Sequence, residues 1–159
     1  MTKDIPDDLH RMADAYEGYI PSRKGWNMPL PTVSTSSTSS TASTFTIPPF
    51  LRSFYQQADY LVVYPKNDPQ TKKHELLHAK YAMDPIYRAS IHKLWNNLTA
   101  KEQTRIRTTL LSLQYPDNPE ILLDEFQAYY YTEKPRFFGI HVQPTKPIQS
   151  NNRFTKKLK

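Results

Sequence analysis

The 159-residue chain contains no cysteine. This absence excludes a disulfide framework and every zinc site built on thiolates, so a bound metal would have to rest on histidine and carboxylate ligands. The first ten residues, MTKDIPDDLH, contain no apolar stretch, and no run in the chain approaches the roughly 18 apolar residues that a membrane span requires. We therefore expect an intracellular, cytoplasmic protein without a membrane partner.

Aromatic residues are plentiful, at 13% of the chain, and eleven of them are tyrosine. Together with a hydrophobic content of 38%, they provide enough apolar surface for one core of ordinary size. The net charge is +6, and four of the seven residues in 153–159 are Lys or Arg. A basic tail of this kind attracts nucleic acid, anionic lipid or acidic proteins without distinguishing among them.

A low-complexity tract separates the two ends of the chain. Residues 32–46 contain twelve Ser or Thr in fifteen positions and predict a linker. We expect residues 1–31 to form an N-terminal appendage, 47–140 to form the compact domain and 141–159 to form the basic tail. Within the appendage, residues 7–20 are compatible with a short helix, and the proline-rich segment 21–32 predicts a loop.

The compact part combines strand and helix patterns. Residues 45–47 and 59–64 are β-branched and aromatic runs bounded by prolines, as short strands are. Four helices are predicted after them: about 70–83, a second opened by Asp84-Pro85, a third opened by the capping box of residues 99–102, and a fourth from Asn118-Pro119 to about 132. The predicted fold class is α+β, with a small sheet packed on about four helices.

The first of these helices carries an H-E-x-x-H motif at residues 74–78. At 100° per residue, His74 and His78 lie about 40° apart and one turn along, so both imidazoles can bind one ion. Glu75 lies on the flank of the same face, where it can reach a water bound to that ion. This face also carries Tyr81 and Ala82. The alternative interpretation is a pair of ordinary polar histidines on a half-buried helix, with Glu75 solvated.

A catalytic zinc site needs a third protein ligand. The candidates are His10, His92, His141, Asp84, Asp124 and Glu125. Asp84 precedes a proline and is better explained as a helix cap.

Glu125 is the strongest of these candidates. It lies in the middle of an apolar sector of the fourth helix formed by Ile121, Leu122, Ala128 and Tyr129, with Asp124 and Gln127 on the opposite, polar side. A carboxylate on an inward face needs a partner, and a divalent cation provides one. A buried pair with Arg and a partly exposed Glu125 are the alternatives.

The motif followed after about fifty residues by Glu125-x-x-Ala128 resembles the minimal gluzincin metallopeptidases, and its spacing is similar to that of the ImmA/IrrE group. The likeness covers about residues 45–135 and is specific only at the metal-site positions. It implies that residues 47–140 are a zincin-like catalytic domain whose sheet has an edge strand available to an extended peptide. The string HELLHA is also similar to the SprT and Spartan DNA-repair proteases, but those use a downstream histidine that has no counterpart here.

The resemblance implies a Zn²⁺-dependent hydrolase that cleaves a protein or peptide through a metal-activated water, with Glu75 as general base. Tyr129 and Tyr81 are candidates for stabilising the oxyanion, and Asp124 for orienting a ligand imidazole. A function of another class is a catalytically silent, metal-stabilised binding module that the basic tail brings to nucleic acid.

Overall fold

The computed structural model describes residues 7, 9–11, 14, 24–30 and 58–139. Over this part of the chain the fold is α+β, as predicted, with a small antiparallel sheet of two strands and four helices of defined length. The predicted strand at 45–47, the linker 32–46, the basic tail 141–159 and the candidate ligand His141 lie outside the described residues. The domain boundaries drawn from the sequence therefore stay a prediction.

The chain divides by its internal contacts into two compact units, residues 1–79 and 80–159. The boundary falls inside the first long helix, α1, which spans Pro69–Met83. Among the residues described, no helix combines the length and the apolar composition needed to cross a bilayer.

The first unit contains a sheet of strands β1 (Trp26–Pro29) and β2 (Tyr60–Val63). They pair antiparallel, with Trp26 opposite Val63 and Pro29 opposite Tyr60. β2 confirms the strand predicted at 59–64. The prediction of a loop over 21–32 is wrong for residues 26–29, which form β1. The first three residues of β1 are all buried, so the strand lacks the alternation that marks a half-exposed strand, and its proline occupies the exposed terminal position.

The sheet contributes the apolar core of this unit. Trp26 and Met28 of β1 cluster with Leu9, and Leu61 and Val63 of β2 pack against them. Leu9 belongs to a helical segment in which residues 7, 9–11 and 14 are described. Burying Leu9 and Met28, which are almost fully covered, contributes about 1.5–3 kcal/mol of transfer free energy each, which ties the N-terminal segment to the sheet.

The second unit contains three capped helices: α2 (Pro85–Asn96), α3 (Ala100–Ser112) and α4 (Pro119–Thr132). Their starts agree with the sequence prediction. The Thr99 hydroxyl accepts from the Glu102 backbone N–H while the Glu102 carboxylate accepts from the Thr99 backbone N–H, which completes the capping box. The Asn118 side chain accepts from the first backbone N–H groups of α4.

α4 is the central helix of this unit, because both α2 and α3 contact it. Its Phe126 is fully buried and packs edge-on against Trp95 of α2, with ring centroids 5.2 Å apart. Ile106 and Leu110 of α3 are fully buried as well. The helices therefore enclose a core of aromatic and branched side chains.

A left-handed residue ends α3. Gln114 has φ of 71°, its N–H donates to the Leu111 carbonyl at 3.0 Å, and the N–H of Tyr115 donates to the Leu110 carbonyl at 3.3 Å. These two bonds form a Schellman motif, a helix ending that favours glycine at the left-handed position. The motif turns the chain so that Tyr115 leads from α3 toward α4.

We expect Gln114→Gly to stabilise the protein by about 1 kcal/mol relative to Gln114→Ala. Both variants remove the exposed Gln114 side chain, but only glycine lacks the Cβ that makes the left-handed conformation costly. Urea unfolding of the two variants measures the difference in the free energy of unfolding. Equal stability of the alanine and glycine variants would contradict a left-handed ending of α3 in solution.

Candidate metal centre

The helix that carries the HELLH motif is fixed at its start by Asp68. This residue accepts the Thr71 backbone N–H at 2.9 Å and the Thr71 hydroxyl at 2.7 Å, and Pro69 occupies the first helical position. The bonds from the backbone and the hydroxyl of Thr71 lower the pKa of the Asp68 carboxyl below its ordinary value. The cap sets where α1 begins, and hence which direction each motif side chain takes.

The buried face of α1 is formed by Thr71, Glu75, His78 and Tyr81, which recur every three or four residues. Glu75 lies within this face, whereas the sequence placed it on the flank. Ala82, predicted to share the inward face, is exposed. Glu75 can lie on the buried face because polar groups of the sheet cover its carboxylate.

The two motif histidines are neighbours on α1. Their ring centroids lie 4.9 Å apart and their planes are inclined by 69°. His78 is buried, with 2% of its surface exposed, while His74 is half-buried. Two imidazoles one turn apart can present nitrogen ligands to the same ion.

Glu75 is held by an amide from the sheet. The Nδ2 atom of Asn27, on β1, donates to Oε2 of Glu75 at 2.9 Å, and the Tyr60 hydroxyl donates to Oδ1 of Asn27. Gly25, just before β1, leaves room for this carboxylate: a Cβ there would lie 2.8 Å from Oε1 of Glu75 and 2.8 Å from the Val63 carbonyl oxygen. The sheet thus encloses the carboxylate closely.

Glu125, on α4, is half-buried. It lies beside Tyr115, the residue that follows the left-handed Gln114. The Tyr115 hydroxyl is hydrogen-bonded to Glu125 and lies 3.1 Å from the Tyr129 hydroxyl. Burial raises the pKa of Tyr115, and the negative charge of Glu125 raises it further. Tyr115 therefore stays a neutral hydrogen-bond donor at physiological pH.

The structure brings the three predicted metal ligands together. The ligand atoms of His74, His78 and Glu125 all lie within 4.8 Å of one another, and they form the one such group found in the described part of the chain. Two imidazoles and a carboxylate suit zinc, whose tetrahedral ligands at about 2.1 Å would lie about 3.4 Å apart. A contraction of no more than about 1.4 Å between ligand atoms would meet that spacing, so the residues fit the ion.

Asp84 and His92, two of the other candidate ligands, make contacts elsewhere. Asp84 caps α2 by accepting the backbone N–H groups of Ile86 and Tyr87, both at 3.0 Å, as predicted. The His92 ring nitrogen Nε2 lies 3.3 Å from the Tyr81 hydroxyl. His10 and Asp124 are described but do not belong to the ligand group.

No protein-family model, curated protein or solved structure matches this chain. The resemblance to gluzincins therefore stays a prediction, supported by the motif residues and by the geometry of their ligand atoms.

Tyr129 and Tyr81, the two tyrosines predicted to stabilise an oxyanion, have different surroundings. Tyr129 stacks on Phe137, with ring centroids 4.8 Å apart, and points its hydroxyl toward Tyr115 beside Glu125. Tyr81 is buried and contacts His92, and burial raises the pKa of its hydroxyl. Their proposed catalytic roles stay predictions.

The helical-wheel prediction for α4 is wrong at two residues. Gln127, assigned to the polar side, is fully buried: it accepts the Tyr87 hydroxyl at 2.8 Å and donates to Asp124 at 3.0 Å. Ile121, assigned to the apolar sector, is 38% exposed. The buried face is centred on Phe126, because α2 and α3 both pack against this helix and cover more of it than one apolar stripe.

Sequence reasoning missed three residues of the site: Asn27, Tyr60 and Tyr115. Tyr115 lies between helices, where no periodic pattern marks it. Asn27 carried a usable signal, since it is a polar residue between the large apolar side chains of Trp26 and Met28. A polar group in such a position is buried only when it has hydrogen-bond partners.

We expect the Asp68 cap to contribute a pH-dependent part of the stability. Its folded-state pKa is lowered, so its contribution is fully present above the unfolded-state value of about 3.9 and is lost as the pH falls through the folded-state value. Urea unfolding at pH 5 and pH 3 should show a smaller loss of stability in Asp68→Asn, which keeps a neutral cap, than in the wild type. Asp68→Ala should be less stable than Asp68→Asn at both pH values, with an equally reduced pH dependence. A wild-type pH dependence in either variant contradicts this role.

Proposed function

We propose that this chain is a zinc-dependent metallopeptidase with a zincin-like fold of the minimal gluzincin type. The observation that carries the proposal is the approach of the ligand atoms of His74, His78 and Glu125 to within 4.8 Å, with Glu75 between the histidines in the sequence. The donor set and the residue beside it are those that a hydrolytic zinc site requires.

His74, His78 and Glu125 would hold the ion. A bound Zn²⁺ supplies a water acidic enough to ionise near neutral pH and polarises the carbonyl of the scissile bond. Three protein ligands leave a fourth position for the water or the substrate, as catalytic zinc sites require.

Glu75 acts as the general base in this proposal. Its carboxylate accepts a proton from the attacking water and delivers that proton to the leaving amine. Tyr129 and Tyr81 remain the candidates for donating to the oxyanion, and an extended peptide chain would lie along the edge of the β1–β2 sheet. The substrate class is a protein or peptide.

The presence of Glu75 favours catalysis over a purely structural zinc site. A structural site needs ligands but has no use for a base, and burying a carboxylate with 5% exposure costs free energy unless its partners compensate. The competing function is a metal-stabilised binding module, with nucleic acid as a partner of the basic tail.

Bound metal and peptide cleavage should respond differently to the two glutamates. We expect Glu75→Ala to retain zinc but to lose about 10²- to 10⁴-fold in the rate of peptide hydrolysis, because only the base is removed. Glu125→Ala should bind zinc at least about 100-fold more weakly. Losing a ligand costs more affinity than losing a residue that only hydrogen-bonds to a ligand, which costs about 10- to 100-fold. Metal content by mass spectrometry and cleavage of a peptide library measure the two effects.

Glu120→Ala is the matched control, because Glu120 is an exposed carboxylate on the same helix as Glu125. It should leave zinc content and cleavage unchanged. Full zinc occupancy in Glu125→Ala would show that another residue completes the site. A wild type that holds zinc tightly but cleaves no peptide would favour the binding module.

Tyr115 should support zinc binding through Glu125. Removing the hydroxyl in Tyr115→Phe leaves the ring but takes away the donor that orients the carboxylate, so zinc affinity should fall by about 10- to 100-fold. Competition with a chelator of known affinity measures the change. Tyr64→Phe is the control, because it also removes one tyrosine hydroxyl, and the described contact of Tyr64 is made by its ring with Lys72. An equal, small effect of both substitutions would remove Tyr115 from the site.

A further inference from the structure

We infer that Asn27 is a positioning residue that orients the Glu75 carboxylate for proton transfer and that Tyr60 fixes the orientation of Asn27. The inference rests on the proposed function, because it assigns these residues a task in the same reaction. It concerns contacts within the first unit of the chain, between the sheet and the helix that carries the motif.

The contact between Asn27 and Glu75 is a buried hydrogen bond between residues 48 positions apart. Asn27 is 8% exposed and Glu75 is 5% exposed. A hydrogen bond to a charged group in such surroundings is stronger than one in water, because the local dielectric is lower. The amide therefore restrains the rotation of the carboxylate while adding no charge of its own.

Tyr60 determines which end of the amide faces Glu75. Its hydroxyl donates to Oδ1 of Asn27, which leaves Nδ2 directed at the carboxylate. A flipped amide would turn Oδ1 toward Glu75 and bring two acceptors together, with no proton between them. The hydrogen bonds from Tyr60 to Asn27 and from Asn27 to Glu75 can therefore form together in only one orientation of the amide.

The strand register explains why these two side chains meet. Asn27 lies opposite Val62, and Tyr60 lies opposite Pro29, so both side chains belong to the same face of the sheet in diagonal positions. Diagonal neighbours are about 7–8 Å apart at the backbone, a span that a tyrosine can bridge. A slip of one residue in the register would turn Asn27 to the other face and separate it from Glu75.

The kinetic test compares Asn27→Ala with Asn96→Ala, an exposed asparagine at the end of α2. Misplacing a general base by about 1 Å costs up to about 100-fold, so Asn27→Ala should lower kcat by about 10- to 100-fold. KM should change by less than about two-fold and zinc content should stay at the wild-type level, because the substitution leaves the metal ligands and the backbone of the sheet edge in place. Asn96→Ala should behave as the wild type.

Two further variants separate positioning from general support of the fold. Adding Asn27→Ala to Glu75→Ala should not lower the residual rate further, because the residue through which Asn27 acts is gone. Tyr60→Phe should lower kcat by less than Asn27→Ala, since it releases the amide without removing it. The inference is overturned if Asn27→Ala lowers the rate of the Glu75→Ala variant by the same factor as it lowers the rate of the wild type. Loss of zinc in Asn27→Ala overturns it as well.

A spectroscopic measurement on the metal-free protein tests the contact independently of activity. The side-chain amide protons of Asn27 should resonate away from the values of an exposed asparagine and exchange slowly with solvent. Both signatures should be lost in Glu75→Ala and altered in Tyr60→Phe, whereas those of Asn96 stay constant. Asn27 signals that do not respond to Glu75→Ala overturn the inference, even when the enzyme is active.

The two measurements keep this inference distinct from the proposed function. A wild-type protein that cleaves no peptide contradicts the proposed function, and the amide signals alone then decide whether Asn27 orients Glu75. If the wild type is active and Asn27→Ala does not change kcat, the proposed peptidase function is unaffected and Asn27 has no part in its mechanism.

Discussion

The constraint on which the site depends is the phase of one helix. α1 begins at Pro69 after the Asp68 cap, and from that start the buried positions fall on Thr71, Glu75, His78 and Tyr81. Three of these four are residues that water would solvate well, so their burial costs free energy that apolar packing cannot return. The Thr71 hydroxyl donates to Asp68 and the Glu75 carboxylate accepts from Asn27, and these hydrogen bonds offset part of that cost.

The neutral donors to Glu75 and Glu125 come from a short strand and a turn rather than from long helices. Asn27 reaches Glu75 from a strand of four residues, and Tyr115 reaches Glu125 from the turn that a left-handed Gln114 creates. Long helices can carry the ligands because regular spacing brings His74 and His78 together. A single donor to a carboxylate needs no such repeat, so a short strand or a turn can supply it.

The sequence predicts the helices well because their signals are local. The capping box at Thr99, the Asp84-Pro85 cap and the Asn118-Pro119 start each depend on residues within four positions, and each is present in the structure. The motif spacing likewise predicts the approach of the two histidines. The pairing of β1 with β2, the contact of Asn27 with Glu75 and the burial of Gln127 depend on residues more than 30 positions apart. Composition and periodicity do not determine such contacts.

The chemistry of the two named donors bears on how the site would act. Asn27 and Tyr115 are both neutral, and each can direct a carboxylate without cancelling its charge. A lysine or arginine in either place would also hold the carboxylate, but it would compete with a divalent cation at Glu125 and with a proton at Glu75. Neutral donors restrict orientation and leave the negative charge available. A glutamate that binds metal and a glutamate that transfers protons would both require this negative charge, so neutral donors suit both roles.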